Sequence, residues 1–440
     1  MRTFPIVVGL LSWLGSGFAP GAEPPPKAVA AWAAGPMEVR VAFDRAVDPS
    51  VSTGAVGGSI AFGEEPKPGD PVAIGRPGGD RGVLRIASAR LVDEGRTLVL
   101  VTDPHPREAT YRLALPGLKG PAEAGAGARL DLSYDLSGVE VAWGEGAKLA
   151  WSGWWPDLEP EMSRTLLAGS AEHERLWPMA EKPGRLTLRT LVVLPRGNTS
   201  LVLDAGSPFE ASLGSESAKS APMGGSHRAT LRAESTGEAI EVNLALRTGE
   251  GGPPRLRATA GSGADQAGRP IPRSALVLPW APPVLPPSPP PTAPAALLGG
   301  GDPARGEALF YGEQAKCANC HQVRGKGGAV GPDLTGLAGR DRAWVYQNIV
   351  EPSASIHPDY LSWTVAMKDG RIAMGVIRAE GADALKVGDI DAKQTLIPRV
   401  EVEEIRPSSS SIMPVGLLGA LGEEGTRDLL AFLTAPGPPR

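Results

Sequence analysis

Cysteine is nearly absent from this chain. Only Cys317 and Cys320 occur in 440 residues, so no disulfide framework staples the fold and the pair calls for a chemical explanation of its own. Aromatic residues make up 5% of the chain against 57 Gly and 45 Pro, which argues for turn-rich, strand-rich domains rather than a long helical bundle. No run of Lys and Arg appears and the formal net charge is -5, so the chain has no electrostatic footprint for a phosphate backbone and nucleic acid is not expected as a partner. Glycine-rich nucleotide loops and flavin or quinone motifs are missing too. After the first residues, no hydrophobic run approaches the length of a membrane span.

What is present divides into several domains, as the length demands. Arg2 precedes an apolar stretch from Phe4 to Phe18, followed by the small residues Ala19, Gly21 and Ala22. This reads as an export signal over 1–22, with an uncleaved anchor as the alternative. The segment 279–299, beginning Pro-Trp-Ala-Pro-Pro-Val-Leu-Pro-Pro, favours extended polyproline and reads as a semi-rigid linker. The Gly/Ser-rich stretch from Gly214 to Ser226 reads as a long loop inside one domain.

Between signal and linker, alternating apolar and polar residues recur at short intervals. Met37–Phe43, Gly58–Phe62, Gly82–Ile86, Thr97–Val101, Tyr111–Leu115 and Leu130–Tyr134 predict a first β-sandwich over 28–135. Its strand spacing, with turns such as Asp48-Pro49-Ser50, resembles the immunoglobulin-like domains of bacterial surface proteins. A second sandwich is expected over 136–278 from Gly138–Trp143, Leu186–Leu194, Ser200–Leu203, Phe209–Leu213, Ala229–Ala233, Ala239–Leu246 and Ala275–Leu278. Trp151, Trp154, Trp155 and Trp177 flank a helix expected from Pro160 to Leu176. Clustered tryptophans can form a sugar-binding platform, but packing into a core is the stronger reading. His105, His173 and His227 stand isolated in loop or helix positions and read as solvated side chains.

After the linker comes Cys317-Ala318-Asn319-Cys320-His321, the C-x-x-C-H pattern of covalent haem attachment. Both thiols can add to the haem vinyl groups while the next residue, His321, reaches the iron. A redox dithiol does not require the histidine, and a half zinc site lacks partner ligands.

Flanking features extend the pattern. Asp302-Pro303 caps a helix in which Gly306 and Phe310 share a face, and Glu423–Leu433 forms a last helix with Leu429, Leu430, Phe432 and Leu433 in one stripe. On these residues the segment 300–435 resembles the class I mono-haem cytochromes c. The resemblance implies an all-α domain whose first and last helices cross at Gly306, one covalent haem c, Pro332 orienting His321 through its carbonyl, and Leu334 packing on the haem. For the distal iron ligand the candidates are His357, Met367, Met374 and Met413. Asp369-Gly370 reads as a two-residue hairpin turn that pairs Met367 with Ile372 and Val365 with Met374, placing both methionines in a core. Met413-Pro414 stands where the family has its axial methionine, His357 is the runner-up and an open site the third reading.

Between the third helix, about Arg342–Val350, and Met413 the chain inserts alternating strands: Ser362–Met367, Arg371–Arg378, Leu385–Gly388, Gln394–Ile397 and Val400–Ile405. A small barrel-like β module over about 360–406 is expected. With Glu351-Pro352-Ser353, Asp359-Tyr360, Ile397-Pro398-Arg399 and Met413-Pro414-Val415-Gly416-Leu417, this layout resembles the planctomycete-type haem-binding domain. That resemblance implies an electron acceptor or relay for a redox partner protein. Two other readings stand beside it: a haem acceptor serving an oxidoreductase site in the N-terminal blocks or in a partner, and a surface protein that binds polysaccharide or another protein through its sandwiches, with the haem as tether or sensor.

Overall fold

The computed structural model describes residues 26–56, 59–63, 82–121, 127–249, 252–262, 265–282, 293–354 and 356–436. The expected signal at 1–22 and residues 283–292 of the linker lie outside these. The chain divides into two compact units: one holds Met1–Gly63, Val83–Thr102 and Ala109–Ala281, the other Glu64–Gly82, Asp103–Glu108 and Pro282–Arg440. No helix among the described residues is long and apolar enough to cross a membrane.

The first unit is built from paired β-sheets. One four-stranded sheet runs Ala28–Gly35, Glu38–Phe43, Thr97–Thr102, Ile86–Val92, and a second runs Gly82–Leu84, Ser59–Phe62, Tyr111–Leu118, Ala128–Tyr134. They share a core in which Val39, Val41, Leu98 and Leu100 meet Ile60, Tyr111, Leu113 and Leu115. Each such buried side chain contributes on the order of 1.5–3 kcal/mol. Further along, Gly184–Val193 turns Leu186, Leu188, Thr190 and Val192 inward and pairs on either side with Val139–Glu145 and Ala239–Thr248. Facing that sheet is another, ordered Ala221–Met223, Ser226–Ser235, Gly197–Ala205, Leu256–Ser262, Asp265–Pro270, and both contribute to one core.

Three expectations for this unit are corrected. The stretch from Gly214 to Ser226 is no loop: Glu216–Lys219 and Ala221–Met223 are strands, and their turns use Gly214, Gly224 and Gly225 at positive φ. Their short polar sequences show little alternation, which hid them. The single helix expected from Pro160 to Leu176 is broken into Pro160–Leu166, Ala171–Glu174 and Leu176–Ala180, with Gly169 at φ +92° in the first break. His173 is fully buried rather than solvated, as is His105 of the second unit.

The surroundings of His173 explain its burial. Its Nε2–H donates to the carbonyl of Trp154 at 2.7 Å, and its Nδ1 accepts from Ser170 Oγ at 2.8 Å. The rings of Trp32 and Trp151 meet it edge-on at 5.1 and 5.9 Å, while Trp32 stacks on Trp154 and Trp155 on Trp177. Trp32, Trp151, Trp155 and Trp177 are core side chains, and Trp154 packs half-buried against the core. The neighbouring Glu172, also buried, pairs with Arg40 at 2.7 Å.

In the second unit, helices Pro303–Tyr311, Cys317–Cys320, Arg342–Val350 and Gly422–Thr434 surround a core of Phe310, Val345, Leu429, Leu430 and Phe432. Asp302 caps the first of these, its carboxylate accepting from Ala304 N at 2.8 Å, and Pro303 occupies the first turn. The expected all-α domain is in fact mixed: a short hairpin, Gln322–Val323 with Lys326–Gly327, follows the cysteines directly. The insert is a five-stranded antiparallel sheet in the order Gln394–Pro398, Ala384–Gly388, Ile372–Glu380, Ser362–Met367, Val402–Pro407, so its last strand crosses over to pair with its first.

Within the insert the hairpin register differs by one residue from that expected. Thr364 faces Met374 and Ala366 faces Ile372, because the loop has three residues, Lys368-Asp369-Gly370. Met367 O accepts from Gly370 N, Met367 N donates to Arg371 O, and Gly370 lies at φ +86°. A slip of one residue exchanges the faces of a strand. Met367 is buried accordingly, while Met374 is 54% and Ile372 71% exposed.

Candidate functional site

The pair Cys317 and Cys320 sits on a single helical turn that starts from Lys316 in the left-handed region, φ 53°. The turn closes with His321 N donating to Cys317 O at 2.9 Å, so both thiols and the imidazole leave the backbone within five residues. The following loop is laced back onto the turn: Gly328 N donates to Ala318 O and Gly331 N to Cys320 O, each at 2.8 Å. A side chain at Gly331 has no room, since its Cβ would stand 2.6 Å from Cε1 and 2.8 Å from Nδ1 of His321.

Pro332 places its carbonyl oxygen 2.9 Å from His321 Nδ1. A carbonyl can only accept, so the proton is on Nδ1 and the lone pair of the neutral ring is on Nε2. That nitrogen makes no hydrogen bond among the described residues. Burial pulls the His321 pKa below its ordinary value, partly offset by the bond to Pro332, which keeps the ring neutral as metal ligation requires. Leu334 belongs to the same loop and packs half-buried against the helical core, its N–H donating to Gln322 O at 2.9 Å.

Both cysteines are unpaired thiols. Burial pushes Cys317 up to about 11, and it raises Cys320 as well, with Asp389 and Asp391 of the insert adding to the effect. Raised thiol pKa values are the opposite of what a reactive dithiol needs. A thioether sulfur, which carries no proton and no charge, tolerates this burial at no electrostatic cost.

Around the turn, Leu334, Leu337, Trp344, Tyr346, Ile349, and Leu418 border the helical core without being fully covered by it. This half-covered apolar lining, two neutral thiols and one oriented imidazole fit a porphyrin ring held by thioethers.

Met413 is half-buried in the segment leading to the last helix, while Pro414 and Val415 are exposed. The serine run before it, unexplained by sequence reasoning, pins the segment. Ser411 N donates to Ser353 Oγ at 3.0 Å, Ser362 Oγ donates to Ser410 O, and Met413 N donates to Ser411 Oγ at 3.1 Å. His357 is engaged elsewhere: its Nδ1 accepts from Asp359 N at 3.3 Å and its ring meets Tyr360 edge-on at 6.0 Å. The acidic contribution of Asp389 and Asp391 beside Cys320 was also missed, because it depends on a contact between the insert and the cysteine loop that no local pattern reports.

Residues 303–376 match the family described as cytochrome c. The match includes Cys317, Cys320, His321, Pro332 and Leu334 and ends before Met413. This segment is a cytochrome c domain, and such a domain carries covalently attached haem c and transfers electrons. No curated protein matches the chain. Among solved structures, an anti-sigma factor domain-containing protein is 9% identical over 55% of this chain and 84% of its own, with a TM-score of 0.26. One of the same description from Clostridium clariflavum is 10% identical over 55% and 84%, TM-score 0.24. The PA14 domain of the MpAFP antifreeze protein is 12% identical over 33% and 73%, TM-score 0.20. Likeness at this level establishes neither fold nor role.

Proposed function

We propose that this chain is an exported mono-haem cytochrome c that relays single electrons between redox partner proteins, with His321 and Met413 as the axial ligands of the iron. The observation that carries the reading is the Cys317-to-His321 turn with its imidazole fixed by Pro332. Haem c supplies an iron that cycles between two oxidation states, so the protein needs no acid, base or nucleophile of its own. What the chain contributes is attachment through Cys317 and Cys320, a neutral imidazole whose donor strength is tuned by the Pro332 carbonyl, and an apolar lining that excludes water.

Met413 is preferred over His357 because its segment is pinned by Ser353 and Ser362, whereas His357 Nδ1 accepts from Asp359 N, which puts the ring proton on Nε2 and leaves that nitrogen no lone pair for the iron. A thioether ligand raises the reduction potential relative to a second imidazole. Export rests on the apolar stretch after Arg2 and agrees with covalent haem attachment outside the cytoplasm. The layout of the insert between Val350 and Met413 supports a domain of the planctomycete type, and the sandwiches with their proline linker act in this reading as a stalk that presents the haem.

The test is a reduced-minus-oxidised visible spectrum of the full chain made with a haem-attachment system, beside a denaturing gel stained for haem. Haem retained on the gel with a sharp low-spin α band is the expected result. A gel without haem returns Cys317 and Cys320 to an ordinary dithiol and ends the proposal.

A further inference from the structure

The insert meets the cysteine loop where Val330 packs on the strand Ala384–Gly388. Val330, 5% exposed, lies over Gly388 in the strand Ala384–Gly388. A Cβ on Gly388 would stand 2.8 Å from Val330 Cγ1 and 3.1 Å from Cγ2. Because both methyls face the glycine, any rotation about χ1 leaves one of them there. Gly388 cannot retreat, since it pairs with Val376 on one side and Gln394 on the other. Beneath it the sheet is pinched as well: a Cβ on Gly375 would stand 2.8 Å from the carbonyl carbon of Gly388.

We propose that Gly388 is a positioning residue for His321: it seats Val330 on a rigid sheet, and Val330 fixes the next two residues, Gly331 and Pro332, against the face and Nδ1 of the imidazole. Every link is short. Gly331 lies against the ring, its N–H donates to Cys320 O, and the Pro332 carbonyl accepts from the ring Nδ1–H. The insert thereby acts as a platform that sets the angle and basicity of the proximal ligand through the orientation of one carbonyl. It builds on the haem reading for what the iron senses, but the contact itself belongs to the polypeptide alone.

The test uses the full chain with haem attached, as wild type, Gly388→Val, Val330→Ala and the double variant. Two quantities are measured: the midpoint potential by spectroelectrochemistry, and the haem-methyl proton shifts of the oxidised form, which respond to the imidazole plane. Gly388→Val is expected to shift both, and Val330→Ala to restore them in the double variant by vacating the space. Should Gly388→Val fail to fold, Val330→Ala alone, which loosens the seat, is expected to shift the methyl pattern. In the haem-free chain the same variants are read by the imidazole nitrogen shifts of His321, which report loss of the Nδ1–H tautomer. Variants that lower the melting temperature while leaving potential, methyl shifts and tautomer unchanged would overturn the proposal, as would a double variant no closer to wild type than Gly388→Val. A wild type that holds no haem sinks the electron-transfer reading instead, and the His321 nitrogen shifts then decide the positioning question alone.

Discussion

Gly306 meets the backbone of Asp428 where the first and last helices of the haem-bearing unit cross: a Cβ at position 306 would stand 2.5 Å from the carbonyl carbon of Asp428 and 2.8 Å from Cβ of Phe432. Neither helix can absorb a methyl group without separating from the other. Gly306→Ala is therefore expected to destabilise this unit by roughly 1–3 kcal/mol or more. Denaturant unfolding followed on the haem band checks it, and an unchanged midpoint would show that the helices do not pack as closely as stated.

The same crossing is fastened by charge. Asp428 accepts from Arg305 Nε at 2.7 Å and from Asp302 N at 2.6 Å, and the Arg305 bond holds its carboxyl below the usual carboxylate range. A depressed folded pKa stabilises above the unfolded value and loses that contribution as pH falls through the folded one. The stability of the wild type should therefore fall as the pH drops below the ordinary aspartate range, and Asp428→Asn should remove that part of the pH dependence. Melting temperatures measured from neutral to acid pH for the two proteins decide it.

Met413→Ala should abolish the weak iron–sulfur charge-transfer band of the oxidised protein and lower its potential, while His357→Ala should leave both in place. A wild type that lacks this band, with a potential that responds to His357→Ala and not to Met413→Ala, would make His357 the distal ligand.

The corrected hairpin register separates two methionines that sequence spacing had put together. Met367→Ala should cost about 2–5 kcal/mol as a core truncation. Met374→Lys should stay within about 0.5 kcal/mol. Equal penalties for the two would restore the two-residue turn.

Burial lowers the His173 pKa from 6.5 to about 4. Between those values the unfolded chain binds a proton that the fold refuses, so stability rises with pH across this window and is lost on acidification, by roughly 3 kcal/mol at most. His173→Gln should flatten that slope in thermal unfolding of the first unit, and a slope unchanged by the substitution would mean that the ring is not held neutral.

What the sequence made legible was local. The Cys317-to-His321 pattern, the Asp302-Pro303 cap, the stripe from Leu429 to Leu433 and alternation in strands such as Gly184–Val193 each follow from residues close together in the chain. Strand Ala28–Gly35, with its alanine-rich AVAAWAAG, offered no alternation to read. The register after Asp369-Gly370 turned on one extra loop residue. His173 looked solvated because its partners, Trp32 and Trp154, come from distant strands. The platform beneath Val330 was hidden for a similar reason, since a glycine in a strand announces a close approach but does not say to what.

The crossing at Gly306 also sets an order of assembly. Residue 428 leaves the ribosome only after the cysteine turn, the third helix and the whole β insert, and its contact with residue 306 closes a long loop that must be ordered first. During synthesis the two thiols are thus presented on a half-built wall, open on the side that the last helix will later shut. The topology leaves the ligation machinery an entrance before closure, and the finished fold then encloses what was attached.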